Sequence, residues 1–305
     1  MGRRDYGDLL GLSALWGASY LFIKIALDGG FDPVALVCVR LILAAALLYV
    51  VARGRGLPFP RDRHVWRAWA VMGLVGTALP FVLVSWGETH IDSSLAAILN
   101  ATVPIFTVGL AHVWGGADER ITPARIGGAA IGFVGVVVVV GDIRLATHPG
   151  ALLGVGAVLL SSFCYAVSPI YARGAFRGVP PVYSAMGQMS VGALYTAIPA
   201  VLGAAGAHRF PAPGAIAAML ALSILGTVGA YLLYYSLLAR IGPTRTTTST
   251  YLLPVFAVVY GAVFLQEPIG TRLLLGFALI VVGVVFITRS RRTPPVMERA
   301  PSAAR

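Results

Sequence analysis

The residues of this 305-residue chain that could do chemistry are few, and nearly all stand inside long apolar runs. Trp16, Tyr20 and Lys24 follow one another at four-residue steps, which places them on one helical face, and Tyr231 with Tyr235 forms a second such face. Arg40, Ser85, Asn100 and Gln188 are polar residues isolated among aliphatic ones, while Tyr165 and Tyr251 add two further rings. Apolar walls with a few placed polar groups are the material of a small-molecule pocket, and a polar side chain in lipid is costly unless it faces a cavity or a partner. The chemistry these residues suit is reversible binding. Trp16, Tyr20, Asn100, Tyr165, Gln188, Tyr231, Tyr235 and Tyr251 are the expected cavity lining. For Asn100 and Gln188 an interhelical hydrogen bond, typically about 0.6 to 2 kcal/mol, stands as the equal alternative. Trp66, Trp69, Trp86 and Trp114 fit an interfacial aromatic belt instead.

Other chemistries find no support. The chain has no P-loop, no GxGxxG in a soluble α/β setting, no His/Cys metal spacing and no GxSxG, so neither an enzyme nor a bound metal or cofactor is expected. All twelve acidic residues fall at the ends of apolar runs or in loops. That disfavours a proton-exchanging pump for lipophilic cations, which needs a carboxylate at mid-membrane. Glu119 and Glu267 each immediately precede an apolar run and are expected to cap its first amides, coupling being the weaker alternative. Lys24 is expected to pair with Asp28 or Glu88, and Arg40 to snorkel outward or bond carbonyls. Cys38 and Cys164 read as small core residues.

The elements that carry these residues are membrane spans. Hydrophobic residues make up 58% of the chain and charged ones 11%, and roughly 20 apolar residues cross the hydrocarbon core. Ten runs qualify, at about 9–27, 33–52, 66–86, 93–114, 121–141, 151–171, 182–204, 215–239, 246–266 and 269–288. The first is too long, and ends too polar, for a cleaved signal peptide.

These ten runs are two sets of five. Gly76–Val113 aligns without a gap on Gly226–Val263, Pro33 matches Pro181, Glu119 matches Glu267 and Gly135 matches Gly283. Five is odd, so the second set must cross the membrane in the opposite sense. Charge agrees: with a cytoplasmic N-terminus, eighteen arginines fall on the inner side and only Arg144, Arg209 and Arg272 on the outer. The net charge of +11 is thus a topology signal rather than a nucleic-acid one. The expectation is an all-α integral membrane protein of the inner or plasma membrane, with ten transmembrane helices as two inverted-topology five-helix repeats and both termini cytoplasmic. Its parts are a cytoplasmic N-terminus (1–8), a first repeat (9–141), an outer linker (142–150), a second repeat (151–288) and a disordered basic tail (289–305). Inverted repeats around a midplane site characterise secondary transporters.

Pro104 and Pro254 are paired between the repeats and each removes a helical hydrogen bond near mid-membrane, marking kinks or gates. The GAAIG step at Gly128–Gly132 allows close helix packing.

The runs LWGASYLFIK, VRLILAAALL, NATVPIFT and TYLLPVFA, with an acidic residue before each Gly-rich fifth and tenth span, resemble the EamA-type carriers of the drug/metabolite transporter superfamily. The resemblance covers roughly residues 9–288. It implies a ten-helix carrier of small metabolites, often an amino-acid exporter, whose central cavity the fifth and tenth helices do not line. The expected function is alternating-access transport of small neutral or zwitterionic metabolites, amino acids foremost, in the export direction. A membrane enzyme or lipid-handling protein is the alternative. The expected partners are a small-molecule substrate and membrane lipid, without nucleic acid, the chain acting as a monomer.

Overall fold

The computed structural model describes residues 2–114, 123–141, 150–204, 210–241 and 249–289. Every regular element among them is a helix, as an apolar chain requires when lipid offers its backbone no hydrogen-bond partners. In order these are α1 (Arg3–Asp28), α2 (Pro33–Gly54), α3 (Arg63–Met72), α4 (Leu79–Gly87), α5 (Ser93–Asn100), α6 (Val103–Trp114), α7 (Pro123–Val140), α8 (Ala151–Ala175), α9 (Pro181–Ala204), α10 (Pro213–Ala221), α11 (Ala230–Ile241), α12 (Ser249–Phe264) and α13 (Thr271–Arg289).

Local sequence explains several of the boundaries. Asp32 accepts from the amides of Val34 and Ala35, and Pro33 sits at the first helical position, where its missing N–H costs nothing. Asp62 caps α3 through the His64 amide. Gly30, with φ of 104°, makes the left-handed turn between α1 and α2.

Six helical stretches are long and apolar enough to cross a membrane: Arg4–Asp28, Pro33–Gly54, Arg63–Gly87, Ala151–Ala172, Pro181–Gly203 and Pro213–Tyr234. Shorter apolar helices occupy Ser93–Thr107, Ile126–Val140, Leu252–Phe264 and Thr271–Phe286. Leu194, Ile198, Val201 and Leu202 project outward from α9, each at least 70% exposed. Such a surface is a liability in water and ordinary in hydrocarbon. The chain is an integral membrane protein.

Two spans are joined through π-helical segments at matching places. Gly73–Ala78 links α3 to α4, and Leu222–Gly229 links α10 to α11. Each contains a Gly–Thr pair, Gly76–Thr77 and Gly226–Thr227. π-turns loosen the backbone ladder and expose carbonyls to side chains. Thr77 donates to the Gly73 carbonyl, and Thr227 to that of Leu222.

Packing between the two halves is reciprocal. α1 lies against α12 while α8 lies against α5 and α6, and α2 meets the second π segment while α9 meets the first. Two pairs, α2 with α9 and α7 with α13, bring matching helices of the halves together. The α7–α13 contact is backbone-close: a side chain at Gly135 would strike the Gly276 carbonyl, and one at Gly283 that of Gly128.

The paired prolines behave differently. Pro254 lies inside the continuous α12. Before Pro104 the chain breaks at Ala101–Thr102, and Pro104 becomes the second residue of a new helix.

Candidate functional site

α1, α2, α4, α5, α8 and α11 bring polar and aromatic side chains together where the two halves meet. Tyr20 on α1, only 5% exposed, accepts a hydrogen bond from Asn100 Nδ2 at the C-terminal end of α5. Ser162 Oγ on α8 donates to Asn100 Oδ1 over 3.1 Å. The break after Asn100 is what lets its amide sit at a helix end facing two partners instead of along a helix flank. One hydrogen-bonded string thus ties the first half to the second.

Arg40 is the centre of charge. It is buried, 5% exposed, and its Nε donates to Thr227 Oγ1 over 2.8 Å, in the second π segment. Its guanidinium carbon stands 4.0 Å from the centroid of the Phe81 ring, a cation–π contact. Phe81 in turn faces Tyr165, with centroids 6.4 Å apart. Tyr20, Tyr165 and Tyr231 all lie near enough to interact electrostatically with the guanidinium. Among the described residues no carboxylate lies within ion-pair distance of it; the ion pairs belong to Lys24, Arg4 and Arg240.

The snorkelling expected of Arg40 is therefore corrected. The side chain turns into the bundle because Thr227 and the Phe81 face offer it a donor site and a π surface there. The partner is a hydroxyl, not a backbone carbonyl.

Trp16 stacks tilted on Tyr234 at 5.5 Å and edge-on to Tyr231 at 6.4 Å, extending the aromatic wall along α1 and α11. Gln188 on α9 is buried, and its carbonyl accepts from Thr77 over 3.3 Å, so it packs at the first π segment. A Cβ at Gly76 would stand 3.2 Å from the Gln188 amide oxygen, a tight approach that glycine avoids. Tyr20, Tyr165 and Tyr231 thus lie about Arg40, with Asn100 bonded to Tyr20 and Trp16 packed on Tyr231. The side chains of Tyr235 and Tyr251, and the whole of Glu119, lie outside the described residues. Thr227 and Phe81 were missed in the sequence, although the match of Thr227 to Thr77 was a usable signal.

Charged groups gather at one end of the bundle. Lys24 Nζ donates to the Glu88 carbonyl over 2.9 Å and lies 3.8 Å from Asp28, the pairing its position led us to expect. Glu267 does cap a helix, but not its own. Its carboxylate accepts from the amides of Ser93 and Ser94, over 2.8 and 2.9 Å, and from the Ser94 hydroxyl, so it caps α5. Gln266, with φ of 55°, terminates α12 in a left-handed turn that aims Glu267 back at α5. Its own helix begins only at Thr271. Glu88 is wholly buried rather than loop-like.

A helical membrane protein with an aromatic-lined, singly charged centre between two interlocked halves is the class that fold and site define. The model of the EamA-like transporter family matches the chain twice, over residues 6–141 and 152–289. The chain belongs to the EamA-like transporter family. It is 32% identical over 90% of its length, and 90% of the relative's, to a probable terminal-alkyne amino-acid exporter of Streptantibioticus cattleyicolor. It is 26% identical to the uncharacterized inner membrane transporter YedA of Escherichia coli K12, over 93% of this chain and 90% of that one. A solved crystal structure of 22% identity superposes with a TM-score of 0.67, covering 93% of this chain and 97% of the other, and supports the fold alone.

Proposed function

We propose that the protein is an alternating-access carrier that exports carboxylate-bearing zwitterions, amino acids foremost. The observation that carries this reading is Arg40: a buried guanidinium without a carboxylate partner among the described residues, set amid aromatic rings where the halves meet. A buried charge is costly unless it is paired, and a substrate carboxylate would supply the pair through the planar guanidinium fork. Tyr20, Asn100, Tyr165, Tyr231 and Trp16 form the surrounding wall, and Gln188 supports it from α9. Export of an amino acid is what one relative is described as doing.

The same reading takes the chain as ten spans in two inverted five-helix repeats, residues 9–141 and 151–288, with both termini cytoplasmic and the chain a monomer. The twofold family match and the reciprocal packing support the duplication. The arginine bias supports the orientation. The unlike surroundings of Pro104 and Pro254 make the break before Pro104 the better gating hinge.

Counterflow of labelled amino acids into proteoliposomes tests the reading. Wild-type protein is expected to exchange them, and Arg40→Gln to lose at least about tenfold in flux, the scale of one buried charge-assisted contact. Amino amides and amines, which lack the carboxylate, should compete poorly. Equal competition by amines, or wild-type flux in Arg40→Gln, would remove the carboxylate assignment.

A further inference from the structure

Glu88 belongs to no part of the binding cluster, yet it is the most fully sequestered carboxyl group in the described chain. It follows α4 directly, one residue beyond the span Arg63–Gly87. The residue is 0% exposed, and among the described residues neither carboxyl oxygen has a hydrogen-bond partner. An ionised carboxylate so placed is unfavourable by several kcal/mol, and such groups neutralise instead. Burial accordingly pushes this carboxyl well above the usual carboxylate range, with the Lys24 charge the leading opposing influence.

The charged groups facing Glu88 do not supply the missing partner. Lys24, from α1, directs its ammonium to the Glu88 backbone carbonyl and to Asp28, not to the Glu88 carboxyl. Glu267, before α13, is engaged with the first amides of α5 and adds negative charge nearby, as does Asp28. Arg40 and Tyr20 interact with Glu88 electrostatically from the binding cluster. The group therefore stands between the charged end of the bundle and the binding centre, sensed by both.

We propose that Glu88 is a proton-carrying site of the transport cycle, a neutral carboxylic acid while the bundle is closed on both sides and a carboxylate when opening on either side admits water. As the outer end closes, the carboxylate takes a proton from outside water and an O–H bond forms. That bond breaks to inside water once the opposite face has opened, so one proton moves inward for each substrate exported. The proposal rests on the transporter reading and adds the coupling ion to it.

Proteoliposomes separate the two claims. Wild-type protein is expected to show amino-acid counterflow at equal pH and accumulation against a concentration gradient when a pH gradient is imposed. Glu88→Gln, which fixes the neutral form, should keep counterflow within about threefold and lose the gradient-driven accumulation. Its exchange rate should also be flat between about pH 6 and 8, where that of wild type changes. Glu88→Asp should restore part of the coupling. Should Glu88→Gln fail to fold, an entrapped pH dye gives an independent readout: substrate entry through wild-type protein should draw protons out and make the lumen alkaline. Counterflow without accumulation or lumen alkalinisation in wild type overturns the proton site and leaves the carrier standing, and so does full accumulation by Glu88→Gln. Absence of wild-type counterflow removes the carrier and the proton site together.

Discussion

At the scale of single residues, the site is a division of labour between one charge and a ring of neutral groups. Among the described residues Arg40 is held by one directional bond, to Thr227, and by the Phe81 face, which leaves the rest of its guanidinium fork to other partners. Asn100 spends its amide nitrogen on Tyr20 and its oxygen on Ser162, so it fixes the wall between α1, α5 and α8. Trp16→Ala, Asn100→Ala and Tyr231→Ala should each lower amino-acid flux severalfold with expression and folding intact. For Asn100→Ala the stability loss should be about 1 kcal/mol per hydrogen bond removed. Wild-type flux in all three, measured by counterflow, would show that the cavity lies elsewhere. The rings and the amide were legible in the sequence because polar and aromatic residues stand out against an aliphatic background. The inward turn of Arg40 was not, since its direction depends on Thr227, 187 residues away.

At the scale of elements, helix ends are closed by groups from distant parts of the chain. α5 begins at Ser93 without a cap from the Asp92 side chain, and the Glu267 carboxylate covers its first amides instead. Glu267→Gln keeps the shape but removes the charge that opposes the positive helix end, and should cost about 1 kcal/mol in thermal stability assays. Gly261→Ala should do more harm, because a Cβ there collides with both the Glu267 carboxylate and the Ser94 hydroxyl. A melting temperature unchanged in both variants would show that α5 needs no such cap. The position of Glu267 before a span pointed to that span's own first amides, whereas its carboxylate caps α5. The sequence could not say which helix, because the left-handed turn at Gln266 redirects the chain and Gln is not a residue that announces one. The α7–α13 seam is the opposite case. Gly128, Gly132 and Gly135 recur at helical spacing along α7, and Gly276 and Gly283 line the facing side of α13, so the small-residue spacing announced a close seam that the two backbones form.

At the scale of the whole molecule, two similar halves interlock so that each completes the other's core. α1 leans on α12 and α8 on α5 and α6, so neither half buries its apolar faces by itself. If the halves are inverted, turns that correspond by sequence must emerge on opposite membrane sides. With Cys38 and Cys164, both buried, replaced by alanine, single cysteines at the exposed positions Thr89 and Phe210 should react with an impermeant maleimide from outside. Cysteines at the exposed Arg55 and Arg177 should react only after permeabilisation. Labelling of Arg55→Cys from outside would reverse the orientation. At the inner end so defined, Arg240 pairs with Asp5 and Asp8 and ties α11 to the start of α1. Charge reversal at Arg240 should loosen that end and raise reactivity of neighbouring cysteines.

The sequence by itself determined that the chain is a helical membrane protein, that it is built from two related halves, and which rings and amides stand within its apolar runs. These properties are carried by composition, by apolar run length and by internal repetition, all of which act locally or on average along the chain. Only the tertiary structure decided that Arg40 points inward, that Glu267 serves α5, that the break falls before Pro104 but not at Pro254, and that the Glu88 carboxyl is buried without a hydrogen-bond partner among the described residues. Each of those depends on which groups from remote segments meet in a medium of low dielectric. There a single hydroxyl, amide or π face settles where a charge can rest.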